Sequence, residues 1–299
     1  MADRLPVELA IRVIKHAAFD FRFTDRRSVV HLASTSHAIY DIVAPIMYHT
    51  MIIPSRNRGR VRSFMFDGRN RAAAVRVCSH VRVLYCPSTE EYGINPTLLT
   101  SLECIIAVCT LIHDIFERID MSQHSLLRQI TVFSPDFAKD VTKLPARARS
   151  RITRVCGFLC VHGGIEWNQI QDSPVVWICR ILDALPNVTH FGLVLVNLRV
   201  SFHAIPLVDS FKVEALQNVV QTALRYRDRR LQRVVLRVCS PFIERRRGEI
   251  EKTLQEIKDP RFSVWWDDRA MSSWDGWKYY EREDVKDGRD IWTAAQGFP

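Results

Sequence analysis

The sequence predicts a mixed fold, α+β or α/β, in which a small N-terminal module of three helices precedes an irregular βα domain with parallel strands. Three observations lead there. Apolar residues recur at helical spacing up to Tyr48, short β-branched runs alternate with longer helical patterns from about residue 73, and residues 262–299 are rich in Trp and acidic groups. With 299 residues, 47% hydrophobic and 25% charged, the composition excludes wholesale disorder, collagen-like repeats and a membrane bundle.

Taken in order, residues 1–50 form the helical module. Pro6 suits a first helical position, and Glu8 places negative charge in the first turn, where the helix dipole favours it. Leu5, Leu9, Val13 and Ala17 recur every fourth residue with Ile14 beside them, making one apolar stripe. Asp25 is a good N-cap for a second helix carrying Val29, Leu32, Ala33, Ser36 and Tyr40 along one face. A third short piece, Ile39 to Tyr48, is expected to break at Pro45. Residues 51–72 then form a connector. Its stretch from Ser55 to Asn70 is rich in Arg, contains two glycines and reads as a solvated loop.

Residues 73–261 form the βα domain. Its predicted strands are Val81–Tyr85, Gln129–Phe133, Val155–Val161, Thr189–Leu195 and Arg233–Val238, with Phe262–Trp266 just beyond. Between them lie predicted helices at Pro96–Ile119, Pro174–Leu185, Ser210–Tyr226 and Pro241–Ile257. Strands alternating with helices imply right-handed crossovers and a parallel sheet. Their uneven spacing does not suit a tidy repeat family but fits a degenerate leucine-rich-repeat-like solenoid. Residues 262–299 hold five of the seven tryptophans, and eight acidic residues against five basic ones. They are expected to form an ordered cap on the last repeat.

The most apolar stretch, Leu98 to Ile112, is interrupted by Glu103 and falls short of the roughly 20 residues that span a bilayer, so no membrane contact is expected. The opening Met1-Ala2-Asp3-Arg4-Leu5-Pro6 lacks the apolar run of a secretory signal, which points to an intracellular protein, cytoplasmic or nuclear. In that setting the eight cysteines, with no C-x-x-C pair among them, read as free buried thiols.

Catalytic signatures are missing. The phosphate-binding, dinucleotide, zinc-protease and nucleophile-elbow motifs do not occur, so neither catalytic residues nor a cofactor are expected. His162-Gly163-Gly164 reads as a turn after a strand. Cys156, Phe158, Cys160 and His162 share one face of a predicted strand, but no nearby side chain supplies a fourth zinc ligand. Two buried cysteines and no metal is the simpler reading. The carboxylate pairs Glu90-Glu91 and Asp267-Asp268 are sequence neighbours whose side chains point apart, so they read as solvated rather than as a glycosidase-like pair.

The net charge of +9 is carried by 34 Arg and only 8 Lys. Arg56, Arg58, Arg60, Arg62, Arg69, Arg71, Arg76 and Arg82 crowd one stretch, and Arg225, Arg227, Arg229, Arg230, Arg233 and Arg237 another. Such clusters can grip phosphates. Single-strand binders interleave stacking aromatics, however, and here only Phe64, Phe66 and Tyr226 accompany the arginines. Arg also pairs with carboxylates, so an acidic protein partner or the chain's own acidic end is an equally good counterpart. An Arg-rich nucleic-acid-binding protein is the alternative reading.

Leu5-Pro6-Val7-Glu8-Leu9, continuing to Val13-Ile14, resembles the opening of the F-box family. Arg27 to His37 resembles that family's Leu-rich second helix running into a polar pair, and Ala44-Pro45-Ile46-Met47-Tyr48 resembles the Pro-x-Leu-Tyr close of fungal members. The stretch from Trp265 to Trp292 is similar to the C-termini of mushroom-type fungal F-box proteins. The resemblance implies a substrate-recognition adaptor of a cullin–RING ubiquitin ligase of the SCF type, and not an enzyme. Its F-box helices would dock on the Skp-family linker subunit while the repeat-like domain binds a protein substrate. Carried over by position, Leu5, Pro6, Leu9, Val13 and Ile14 would make the first-helix contact, with Val29, Leu32 and Ser36 on the second.

Overall fold

Eight parallel strands form one sheet whose order follows the sequence: β1 (Thr50–Ile52), β2 (Val83–Cys86), β3 (Cys104–Val108), β4 (Gln129–Phe133), β5 (Arg154–Cys160), β6 (His190–Val196), β7 (Arg233–Cys239) and β8 (Phe262–Asp267). The computed structural model describes residues 6–53, 58–86, 94–118, 126–133, 137–160, 173–196, 212–226, 230–239, 247–267, 269, 282–287 and 291–294. Neighbouring strands in sequence are neighbours in space, so crossovers of one hand all return over the same face. That face carries α6 (Cys109–Arg118), α7 (Phe137–Lys143), α9 (Pro174–Ala184), α10 (Val213–Arg225) and α11 (Arg247–Gln255), with each helix of the row touching the next. The short α8 (Ala146–Arg149) precedes β5.

Register divides the strand residues between two faces. Val83, Cys104, Gln129, Arg154, His190 and Arg233 lie side by side across β2–β7. One residue on, Leu84, Ile105, Ile130, Val155, Phe191 and Val234 form a buried row facing the helices. On this side Gly157 is needed for close approach, because a Cβ there would stand 2.3 Å from the Phe137 ring of α7.

The repeat that is faint in sequence is regular in the backbone. Val81, Leu102, Leu127, Ile152, Val188 and Leu231 each stand two positions before a strand and are fully buried. The carbonyl of His49 accepts from the N–H groups of Arg82 and Val83, that of Arg82 from Glu103 and Cys104, and that of Glu103 from Arg128 and Gln129. The same pair of hydrogen bonds is accepted by the carbonyls of Arg128, Thr153 and Thr189. Arginines satisfy carbonyls at helix ends and in the turns that follow: Arg230 donates to Leu182 and Pro186 at 3.0 and 2.6 Å, and Arg261, held by Asp259, donates to Leu224 and Leu231 at 2.8 Å each.

Before the sheet, α1 (Val7–Phe21), α2 (Arg26–Ala33) and α3 (His37–Met47) enclose a second, smaller core of Ala18, Val29, Ala33, Val43 and Met47. Asp25 caps α2 by accepting from the Ser28 N–H at 3.2 Å, and Ser36 caps α3 by accepting from the Ile39 N–H at 3.2 Å.

The structure corrects several expectations. Pro6 is the residue before α1, and its carbonyl accepts from Leu9 and Ala10 at 3.0 Å. Helix α3 continues through Pro45 to Met47. The ring removes one hydrogen bond near the end of the helix, and the affected residue, Asp41, is exposed to water. The Arg-rich connector contains α4 (Arg58–Phe66), a 3₁₀ turn at Gly68–Asn70 and the start of α5 (Arg71–Cys78), anchored by buried Met65. The long helix expected at Pro96–Ile119 is a 3₁₀ turn, the strand β3 and the shorter α6. Phe262–Asp267 is the eighth strand itself, and the described residues after it lie back over the sheet's second face rather than across its end.

Among the described residues no helix is long and apolar enough to cross a membrane, and none of the His, Cys, Asp and Glu side chains gather into a metal-binding group. Among the described residues, Cys78, Cys86, Cys104, Cys156, Cys179 and Cys239 form no disulfide. Burial pushes the Cys78 thiol up to about 11 and the Cys86 thiol well above its ordinary value.

Candidate binding cleft on the second face of the sheet

The face opposite the helices carries Cys104, Ile106, Thr131, Cys156, Val194 and Arg237. It is overlain from both chain ends. Phe19 of α1 and Arg22 just after it, with Pro45 and Ile46 of α3, make one wall, and Val285, Asp287 and Ile291 make the other. Between them is a cleft of about 920 Å³, with Glu103, Arg128, Gln129, Thr153 and Arg154 at the ends of the strands around its rim.

The C-terminal wall is fixed by a buried ionic network. Arg237 on β7 and the carboxylates of Asp267 and Asp284 keep only 3%, 3% and 2% of their side-chain surface. Arg237 donates to Asp267 through Nε at 3.1 Å and Nη2 at 2.5 Å, and to Asp284 through Nη2 at 2.6 Å. Arg269 grips the same two carboxylates, with Nη2 at 2.6 Å from Asp267 and 2.7 Å from Asp284. The Arg237 guanidinium also lies 4.0 Å from the centre of the Trp265 ring. Burial pushes the Asp267 carboxyl up, but hydrogen bonds and charge from Arg269 and Arg237 outweigh it and hold the group below the usual carboxylate range. Asp267 is therefore not the solvated turn residue that the sequence suggests, and Asp268 lies outside the described residues.

Beyond the network, Ile291 and Trp292 press on the middle of the sheet. A Cβ at Gly192 would meet Trp292 at 3.1 Å and Ile291 at 3.2 Å, and the Trp292 ring meets His190 edge to face at 5.5 Å. Glycine at 192 leaves room for this segment. The acidic end does serve as a counterpart for the chain's own arginines.

The other half of the face is different. Arg22 is 6% exposed, donates to the Lys286 carbonyl at 3.1 Å and stacks over Phe19 at 4.0 Å. Its Nε is buried without a hydrogen bond. Desolvation lowers its pKa, and the charge of Asp287 offsets part of that. Arg128 donates to its neighbour's carbonyl at Leu127, 3.0 Å away, and Arg154 is exposed at the start of β5. Among the described residues neither has a carboxylate partner. Glu103 is already bridged to Arg82 at 2.8 Å. His49 is held below its ordinary pKa by burial, then by the charges of Arg22 and Arg82, with Glu103 opposing.

The residues expected to meet a linker subunit do not form one face. Leu9 and Val13 project outward, 45% and 62% exposed, beside Val7. Val29 is 2% exposed inside the small core, with Ile14 and Leu32 packed against it. Ser36 is spent as the cap of α3, Pro6 is exposed, and Leu5 lies outside the described residues.

Of the other singled-out residues, Cys156 and Phe158 do share the second face, both buried. The side chain of Cys160, and His162, Glu90 and Glu91, lie outside the described residues. The two Arg clusters have different fates. Arg60, Arg62, Arg69, Arg71 and Arg76 are exposed on α4, α5 and the turn between them, whereas Arg230 and Arg237 are used internally; Arg56, Arg227 and Arg229 lie outside the described residues. The roles of Arg22, Arg128 and Arg154 have no signal in sequence, because strand pairing brings Arg128 and Arg154 together and Arg22 reaches the cleft only from the end of α1.

No protein-family model matches this chain, and no curated protein matches it.

Proposed function

We propose that the protein is a non-enzymatic adaptor of a cullin–RING ubiquitin ligase, working in the cytoplasm or nucleus. In this reading α1–α3 form an F-box-like module on the Skp-family linker, and the parallel-sheet domain, leucine-rich-repeat-like in its regular strand-and-helix stacking, holds a target protein. The observation that supports it most is the pair Leu9 and Val13. They stand one helical turn apart on α1, exposed, while the core of the three helices is already filled by other side chains. An apolar pair left out of a complete core is suited to a partner's surface. The mechanism is tethering. Holding ligase and target on one chain raises the effective concentration of target lysines near the charged enzyme.

Co-expression with a Skp-family linker tests this. The wild-type chain should co-purify with it, and Leu9→Asp with Val13→Asp should abolish capture without lowering the melting temperature. Capture retained by the double variant excludes this face.

A second reading is favoured by the exposed arginines of α4 and α5, which lie where a nucleic-acid backbone could reach them. It requires salt-sensitive binding of a generic duplex, lost on Arg60→Glu with Arg62→Glu. No binding at low salt removes it.

A further inference from the structure

We propose that the cleft on the second face binds an acidic peptide segment, its carboxylates on Arg128 and Arg154 and its apolar side chains on the floor between α1 and the C-terminal wall. This names the class of target for the adaptor reading and rests on that reading only for the word target. Three features of the molecule carry it.

The same face already holds a stretch of acidic, aromatic chain. Residues 282–287 put the Asp284 carboxylate on Arg237, and residues 291–294 press Ile291 and Trp292 against Gly192. This part of the sheet thus has the chemistry to receive polypeptide: a cation from a strand and a flat apolar patch beside it. Toward β4 and β5 the pattern continues without the chain's own acid. Arg128 and Arg154 flank Gln129 and Thr153 at the rim, and the floor beneath is Cys104, Ile106 and Cys156. Neither arginine has a carboxylate partner among the described residues.

The charges facing the cleft leave a cationic surplus. Glu103 is engaged by Arg82, and Arg237 by two carboxylates. Asp287 offsets Arg22, but the Arg22 guanidinium is nearly buried with its Nε unbonded. A ligand carboxylate at the rim would gain charge-assisted hydrogen bonds from Arg128 and Arg154 at little desolvation cost, since both are exposed in the free protein. The volume of about 920 Å³ is within the range of clefts that enclose a ligand. Apolar floor and cationic rim together favour a peptide carrying both acidic and aliphatic side chains over a bare polyanion.

The test uses the full chain and fluorescence anisotropy with a labelled peptide of alternating Glu and Leu. Its counterpart with Lys for Glu, inorganic tripolyphosphate and a generic DNA duplex serve as competitors. The acidic peptide should bind, the lysine peptide should not compete, and added salt should weaken the complex. Arg128→Glu with Arg154→Glu should weaken binding about tenfold or more while the thermal melt is unchanged. Arg76→Glu, on exposed α5, should leave it as in the wild type. The proposal is overturned if the acidic peptide fails to bind at low salt, or if Arg76→Glu weakens it as much as the cleft variant. Competition by tripolyphosphate or duplex at lower concentration than unlabelled peptide overturns it in favour of a phosphate site. Linker capture measured on the same cleft variant separates the two readings: capture retained with peptide binding unchanged leaves the adaptor standing and removes this site.

Discussion

The two halves of the sheet's second face use the same residue type to opposite ends. Near β7 and β8, Arg237 and Arg269 are matched by Asp267 and Asp284, and three of these four side chains are almost wholly buried. Near β4 and β5, Arg128 and Arg154 stand at an open cleft, and neither has a carboxylate partner among the described residues. An arginine therefore becomes structural or recognitive according to whether its own chain supplies the counter-charge. The buried set binds the end of the chain to its sheet, and the unmatched set is what the fold leaves for something else.

The largest expected effect breaks the matched half. Arg237→Ala strands two buried carboxylates, with only the partly exposed Arg269 to answer them. Removing one partner of a buried ionic group costs about 3–5 kcal/mol, so the denaturant midpoint should fall sharply. In contrast, Arg128→Ala at the open rim should stay within about 0.5 kcal/mol of wild type. Equal losses at the two positions would erase the distinction between the halves.

A smaller effect follows from pH. The Asp267 carboxyl is held below its ordinary range, so the unfolded chain takes up a proton there before the folded one does. Its contribution is complete above the unfolded pKa of about 3.9 and is lost as pH falls through the lower folded value. Urea midpoints of wild type and Asp267→Asn should differ by a constant amount above about pH 5 and begin to converge as pH falls below about 4. A gap that persists at pH 2 assigns the stabilisation to packing rather than to charge.

How much of this the sequence discloses depends on the distance over which each feature is encoded. Five of the six predicted strands align within two residues of β2 and β5–β8, and Gln129–Phe133 coincides with β4, because β-branched runs between turn residues are a local signal. Strand β3 is hidden because Cys104–Val108 sits within a longer apolar run, and a strand buried on both faces has the same composition as a buried helix. Strand β1 is three residues long at the sheet's edge, too short for any period to register. Helix α4 is masked by Gly59 and its arginines, although Arg is itself a good helix former. The cleft is the least legible feature. Arg237 and Asp284 are 47 positions apart, and Arg22 meets Lys286 across 264, so only the folded chain makes them neighbours.

The finest test of the unmatched half is His49, which lines the cleft beside Arg22. Burial lowers its pKa first, the cationic charges of Arg22 and Arg82 lower it further, and Glu103 pulls it partly back. Its imidazole should therefore titrate below the ordinary value of about 6.5, as read from the ring proton shifts by NMR. Because the unfolded chain protonates first, this residue stabilises the fold above that ordinary value, and its contribution fades as pH falls through the folded one. Filling the cleft with the acidic peptide brings negative charge onto Arg128 and Arg154 in the cleft that His49 lines, so its midpoint should move upward toward the ordinary value. The peptide with Lys for Glu should leave it in place. A midpoint unmoved by saturating acidic peptide would put the bound carboxylates away from the cleft, and would leave the cationic half of the face as unmatched as it is in the free chain.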